Sequence, residues 1–167
     1  MAVNRYQNHL VVYLEDQPYR EIMNGVKNLP HINDKVIDVK NPCGGWKKVF
    51  VELEENFRLI EKYSQMYALL LMDFDNDFVN RQKKFQELCN KFPGQERIFL
   101  LGIDKKESED LKKTLQQSNN EAIGKILLEN CPDQPTSNVW DNPHLHNNLQ
   151  EIERMRKSGI FQWLVRV

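Results

Sequence analysis

Three aspartates, Asp73, Asp75 and Asp77, stand at alternating positions directly after the apolar run Tyr67–Met72 in the stretch MYALLLMDFDND. Carboxylates this close repel, and the proton affinity of one member rises unless a cation sits between them. A hard divalent ion such as Mg²⁺ relieves the conflict, because one or two carboxylates hold it while several waters stay bound. If the strand formed by the apolar run persists to Asp75, Asp73 and Asp75 project to the same side of it. A further acid, Glu15, ends an earlier apolar run, HLVVYLE, and is placed to be a third ligand or a proton carrier. The plainer role for an acid after a strand is to cap the next helix, and Asp77, just before Phe78-Val79, suits that role. Glu15, Asp73 and Asp75 form the candidate catalytic set; the same three with Asp77 are the candidate metal ligands.

Cations stand near these acids in the sequence. Lys47 and Lys48 follow the glycine turn of GGWKK at a strand-to-helix junction, where free backbone N–H groups favour an anion. The stretch lacks the GxxxxGK[ST] spacing of a P-loop, and a glycine turn opening a helix with solvated lysines explains it equally well. Arg81, Lys83 and Lys84 follow the acids by about one helical turn, and Lys105 with Lys106 follows a later strand. Lys47, Lys48, Arg81 and Lys105 are the candidate phosphate contacts; the competing reading of such runs is a solvated helix face.

Glu107 lies close enough to Asp104 to be a second-metal ligand, whereas Glu109 suits the first turn of a helix. His144 and His146 form an HxH pair, but they open a helix, where positions i and i+2 diverge, and no third ligand stands at a recognisable spacing. Asn142 or His144 is better placed to start that helix. Trp140 and Trp163 read as packing anchors.

The elements that must position these residues alternate along the chain. His9–Glu15 and the short Lys35–Val39 read as strands, and the segment from Asp16 to Val26 as a helix with Pro18 in its first turn. After the turn Asn41–Gly45, one long helix is expected to carry Trp46, Val49, Phe50, Leu53, Phe57, Ile60 and Tyr63 on one side. Tyr67–Met72 is the third strand. A helix from Asp77 to Phe92, with Phe78, Phe85, Leu88 and Phe92 inward, ends at Pro93-Gly94, and Arg97–Ile103 is the fourth strand. Two helices split near Ser118–Asn120, a polar loop from Pro132 to Pro143, a helix from about Leu145 to Lys157 and the apolar stretch GIFQWLVRV complete the chain. The order β-α-β-α-β-α-β followed by helices predicts a single α/β domain over 1–167, with a mostly parallel four-stranded sheet flanked by helices and a C-terminal helical extension over about 105–167. Ligands of such sheets bind outside the carboxyl ends of the strands, which gathers Glu15, Asp73, Asp75 and Asp104 on one rim.

Composition narrows the setting. At 167 residues the chain is long enough for one sizeable core, and its net charge of −1 advertises neither nucleic acid nor a membrane surface. Three isolated cysteines without CxxC spacing suit a reducing compartment, no apolar run is long enough to span a bilayer, and the N-terminal run reads as a strand rather than a signal peptide. A cytoplasmic location without membrane contact is the expectation.

With the strand order in place, the residues resemble the Toprim domain shared by topoisomerases, primases and a set of bacterial nucleases. VVYLEDQPYREIMNGV looks like that family's strand-Glu-helix opening, and LLLMDFDND like its Asp-x-Asp after a later parallel strand. The resemblance covers about residues 9–104, and the downstream part is similar in cast to small bacterial Toprim-like proteins. It implies that Asp73 and Asp75 hold Mg²⁺ (or Mn²⁺) and that Glu15 assists proton transfer or adds a ligand. Topoisomerase chemistry needs a nucleophilic tyrosine, normally from another domain, and primases usually need partner modules. Hydrolysis of a phosphodiester by a metal-dependent nuclease therefore suits a lone small domain best.

Two other function classes compete. A receiver-like signalling domain also places acids after its first strand, a phospho-accepting Asp after its third and a lysine after a later one; Glu15 with Asp16, Asp73 and Lys105 imitate that set. Alternatively, a non-catalytic subunit on a Toprim-like scaffold binds a partner through Ile160–Val167. The partner classes in view are nucleic acid and a protein such as an ATPase.

Overall fold

In the computed structural model, which describes residues 2–104, 108–131 and 139–166, the chain forms an α/β fold around a four-stranded parallel sheet. The strands are β1 (His9–Leu14), β2 (Ile37–Val39), β3 (Met66–Asp73) and β4 (Ile98–Ile103), in the order β2-β1-β3-β4. The helices are α1 (Gln17–Lys27), α2 (Trp46–Glu55), α3 (Phe57–Lys62), α4 (Phe78–Cys89), α5 (Ser108–Leu115), α6 (Asn120–Glu129), α7 (Leu149–Lys157) and α8 (Ile160–Leu164). Lys105, Lys106 and Glu107, like the side chain of Glu109 and the first part of the loop expected from Pro132, lie outside the described residues.

All six residues of β1 are buried, which is why its sequence is a continuous apolar run and not an alternating one: a central strand is covered on both faces. Alternation divides the strand side chains between two cores. Leu10, Val12, Leu14, Leu69 and Leu71 pack with α1 and the C-terminal helices. Val11, Tyr13, Ala68, Leu70 and Met72 pack with α2, α3 and α4. The chain thus leaves β1 toward one face and β3 toward the other, and β1 and β3 are neighbours, pairing Val12 with Leu69 and Leu14 with Leu71. That is the geometry of a topological switch point, where the two departing loops open a crevice.

Two expected helices are interrupted. The long helix from Trp46 breaks at Asn56, whose side-chain amide donates to the Glu52 carbonyl at 2.7 Å and competes with the backbone ladder. The break lets Phe57 stack on Phe92 with ring centroids 4.7 Å apart. The last helix begins one turn late: His146–Asn148 is a 3-10 turn, α7 follows, and Gly159 at φ 82° separates it from α8. The terminal apolar stretch belongs to the core, with Ile160 and Leu164 buried and Val165 bridged to Ile32, so those two side chains are not a free docking surface. Trp140 and Trp163 do anchor this region, the first buried with its indole N–H donating to the Leu127 carbonyl, the second packed on Tyr67.

The outer edge of β4 is closed by side chains in place of a fifth strand. Asn148 accepts from the Gly102 N–H at 2.9 Å and donates to the Gly102 carbonyl at 2.7 Å. Glu151 accepts from the Leu100 N–H at 2.8 Å, and Arg154 donates to the Ile98 carbonyl. Positions 148, 151 and 154 share one side of the last helical segment, so a single row of polar side chains satisfies most of an edge that would otherwise invite another chain. Asn148→Leu keeps the volume but strands a buried donor and a buried acceptor. The expected cost is about 2–5 kcal/mol, read as a lower urea midpoint with an unchanged slope. Among the described residues no helix is long and apolar enough to cross a membrane.

Candidate metal and catalytic site

Glu15 follows β1 directly and Asp73 closes β3, so strand pairing brings them together from 58 positions apart. The Glu15 N–H continues the ladder onto the Leu71 carbonyl at 3.0 Å, and the Glu15 carboxylate turns back to accept from the Asp73 N–H at 2.7 Å. On the other side, the Tyr19 hydroxyl in the first turn of α1 donates to Asp73 Oδ1 at 2.6 Å. Tyr19 is buried, and that burial, followed by the Asp73 charge and hydrogen bond, holds it well above the usual tyrosine range. Asp16 occupies the cap position of α1 without a capping hydrogen bond, and its Oδ1 is buried with no partner.

Glu15, Asp73 and Asp16 thus feel one another's charge without gathering at one point. Burial, followed by the neighbouring Asp73, Asp16 and Asp75 charges, pushes Glu15 up to about 7 in spite of the Asp73 N–H bond. Burial likewise lifts Asp73 to about 6, against the opposing Tyr19 hydrogen bond and the Arg81 charge. Asp16 is raised as well, chiefly by burial.

The acids beyond Asp73 take a different course from the one expected. β3 ends at Asp73; the Phe74 N–H adds one more bond to the Ile103 carbonyl, and the Phe74 ring is fully buried against Phe78, centroids 5.0 Å apart. Asp75 and Asn76 then adopt left-handed backbone angles, φ 51° and 57°, which Asp and Asn tolerate best among residues with a side chain. The alternation of the sequence is thus not a strand alternation. Asp75 and Asp77 are joined instead to Arg81, at 3.2 Å and 3.7 Å, and Asp77 also accepts from Asn80 at 2.7 Å.

Arg81 itself departs from the solvated, phosphate-contacting role read from its sequence. It is 6% exposed, with its guanidinium carbon 3.7 Å from the centre of the Trp46 ring. It clamps the acidic loop onto α2, a cation–π contact the i,i+4 pattern gave no hint of because Trp46 comes from another helix. Lys84 and Lys47 also approach that ring, at 4.6 Å and 5.5 Å, and Lys47 and Lys48 are exposed beside the turn where Gly44 and Gly45 take positive φ. These lysines, unlike Arg81, are exposed.

At the end of β4, Asp104 is buried, accepts from Asn147 at 2.8 Å and lies 3.8 Å from His146. Its backbone accepts from the Asn76 N–H and donates to the His144 carbonyl, tying the acidic loop to the segment before α7. His144 is buried, so the two histidines part as expected of positions i and i+2. Asn142 accepts from the His144 N–H and starts the turn.

Among the described residues no three His, Cys, Asp or Glu side chains gather around one point. Among the described residues Glu15 Oε1 and Asp73 Oδ2 carry no hydrogen bond and the Asp16 Oδ1 has no partner, a donor chemistry that suits a hard cation held by two carboxylates. Tyr19 is the residue that sequence reading missed. Its only signal was an aromatic with a polar end in the first turn of the helix that follows Glu15. No protein-family model, no curated protein and no solved structure matches the chain.

Proposed function

We propose that the chain hydrolyses phosphodiester bonds with a divalent cation, Mg²⁺ or Mn²⁺, held by Glu15 and Asp73 in the crevice between β1 and β3. The supporting observation is the direct junction of these two residues at the switch point, each with one carboxylate oxygen left over. Such an ion supplies a Lewis acid that polarises a phosphoryl oxygen. Tyr19 fixes the orientation of Asp73 through one oxygen and leaves the other toward the crevice. Glu15, half-buried, would hold the ion through the oxygen that the Asp73 N–H leaves over; its raised proton affinity belongs to the cation-free crevice and falls once a cation binds. Lys47 and Lys48 supply positive charge for the phosphates on either side of the scissile bond. Asp75 and Asp77 shape the loop through Arg81.

Calorimetric titration with Mg²⁺ and Mn²⁺ tests this reading, followed by a screen of DNA and RNA substrates. The expected result is saturable binding to the wild type that weakens at least about tenfold in a Glu15→Gln/Asp73→Asn double variant. No binding to the wild type overturns it.

A receiver-like role has one observation in its favour: β2-β1-β3-β4 is the start of the doubly wound order that receivers share, and Asp73 ends the third strand. Incubation with acetyl phosphate and Mg²⁺ separates the two. A phosphoryl mass increment on Asp73 favours the receiver, and none is expected of a hydrolase.

A further inference from the structure

A groove of about 690 Å³ runs between α4 and α7, along the outer edge of β4 and away from the crevice. Its floor is apolar, formed by Phe85, Cys89 and Leu100. Its walls are carboxamides. Gln82 and Gln86 on α4 and Asn90 at its C-terminal cap follow one another at i, i+4, i+8, and Gln150 faces them from α7. None of these four amides has a hydrogen-bond partner within the described chain. Charged groups occupy other positions of the exposed α4 surface, at Lys83, Lys84 and Glu87, so the uncharged line is confined to the groove.

We infer that this groove binds an extended, uncharged peptide segment of a partner protein, recognised through its main chain. A carboxamide carries one acceptor and a pair of donors, the complement of the N–H and C=O groups that an extended backbone presents. Charge decides against a nucleic-acid strand. Among the described residues the groove is lined by one cation, Arg154, which is spent on Glu151 and on the Gln95 and Ile98 carbonyls, while Glu96 adds a negative charge 3.9 Å from Arg97. A polyanion would enter without a counter-charge, whereas a neutral peptide needs none. Strand addition is a poor mode here, because the Ile98 carbonyl, the Leu100 N–H and both main-chain groups of Gly102 on the outer edge of β4 are already bonded to Arg154, Glu151 and Asn148. The peptide lies over that seal, with an apolar side chain toward Phe85 and Leu100.

The test pans a displayed library of random dodecapeptides against the full chain and measures the enriched peptides by fluorescence anisotropy. Uncharged sequences are expected to win, with binding insensitive to salt. Gln86→Lys and Gln150→Lys, both at exposed positions, are each expected to weaken it at least about tenfold at an unchanged melting temperature. Asp73→Asn leaves peptide binding intact, so failure of the proposed hydrolase site and failure of the groove are told apart. The inference falls if no peptide is enriched, if the lysine variants bind the peptides as well as wild type does, or if single-stranded oligothymidylate binds in the groove instead.

Discussion

Raising the pH from about 5 to about 8 lowers the melting temperature of the wild-type chain, and adding Mg²⁺ at the higher pH restores most of the loss. The direction follows from the crevice. Glu15 and Asp73 have proton affinities raised to about 7 and about 6, so the folded chain keeps protons that the unfolded chain has already released. Their contribution is complete below the ordinary carboxylate range and is lost as the pH climbs through about 6 and then about 7. Asp16 adds to the effect in the same direction. Glu153, held low by its bond to Arg156 on the surface, works the opposite way, but only below the ordinary carboxylate range and so outside this window.

Asp73→Asn is the decisive variant. It removes the charge while keeping an oxygen for the Tyr19 hydroxyl. The variant is expected to melt above wild type at about pH 8, to show a flatter pH profile and to lose the response to Mg²⁺. Phosphodiesterase activity is expected to fall on the order of 10³-fold or more. A wild-type profile that is flat across this range, together with an Asp73→Asn variant of lower stability, would show that the carboxylates are not in conflict and would sink the cation reading.

Replacing either of two buried glycines by alanine is expected to cost about 3 kcal/mol, a fall in melting temperature of roughly 6–12 °C. Gly25 on α1 and Gly124 on α6 allow these helices to touch backbone to backbone. A methyl group at Gly25 would fall 1.9 Å from the Glu121 carbonyl oxygen, and one at Gly124 would fall 1.9 Å from that of Ile22. Neither oxygen can move without shifting a helix, so the clash is relieved only by parting α1 from α6. The consequence reaches the crevice, because α1 carries Tyr19, whose hydroxyl positions Asp73. Both variants are therefore expected to bind Mg²⁺ more weakly, although neither glycine is near the acids in sequence. Lys125→Ala, at an exposed position of α6, serves as the control and is expected to stay within about 0.5 kcal/mol of wild type. Melting curves identical to wild type for both glycine variants would mean that the two helices are not in close contact.

The α/β fold, its four parallel strands and the apolar face of each helix were legible in the sequence, because burial on both faces of a sheet demands continuous apolar runs and burial on one helix face demands a 3.6-residue period. So was the placement of Glu15 and Asp73 at strand ends. The helix break at Asn56 was less so: its side-chain bond to Glu52 is local, yet the new direction is set by Phe92, far along the chain. Which acids belong together was decided only in three dimensions. Spacing alone grouped Asp73, Asp75 and Asp77, whereas strand pairing joins Asp73 to Glu15, and beyond the buried Phe74 the side chains of Asp75 and Asp77 pair with Arg81. The direction of Arg81 itself depends on the ring of Trp46, and the closure of the β4 edge on a row of side chains from α7 and the turn before it. Local periodicity determines which residues are buried, since burial follows from solvent and from the geometry of a single helix or strand. Polar partnerships form between elements, so only the packed structure assigns them.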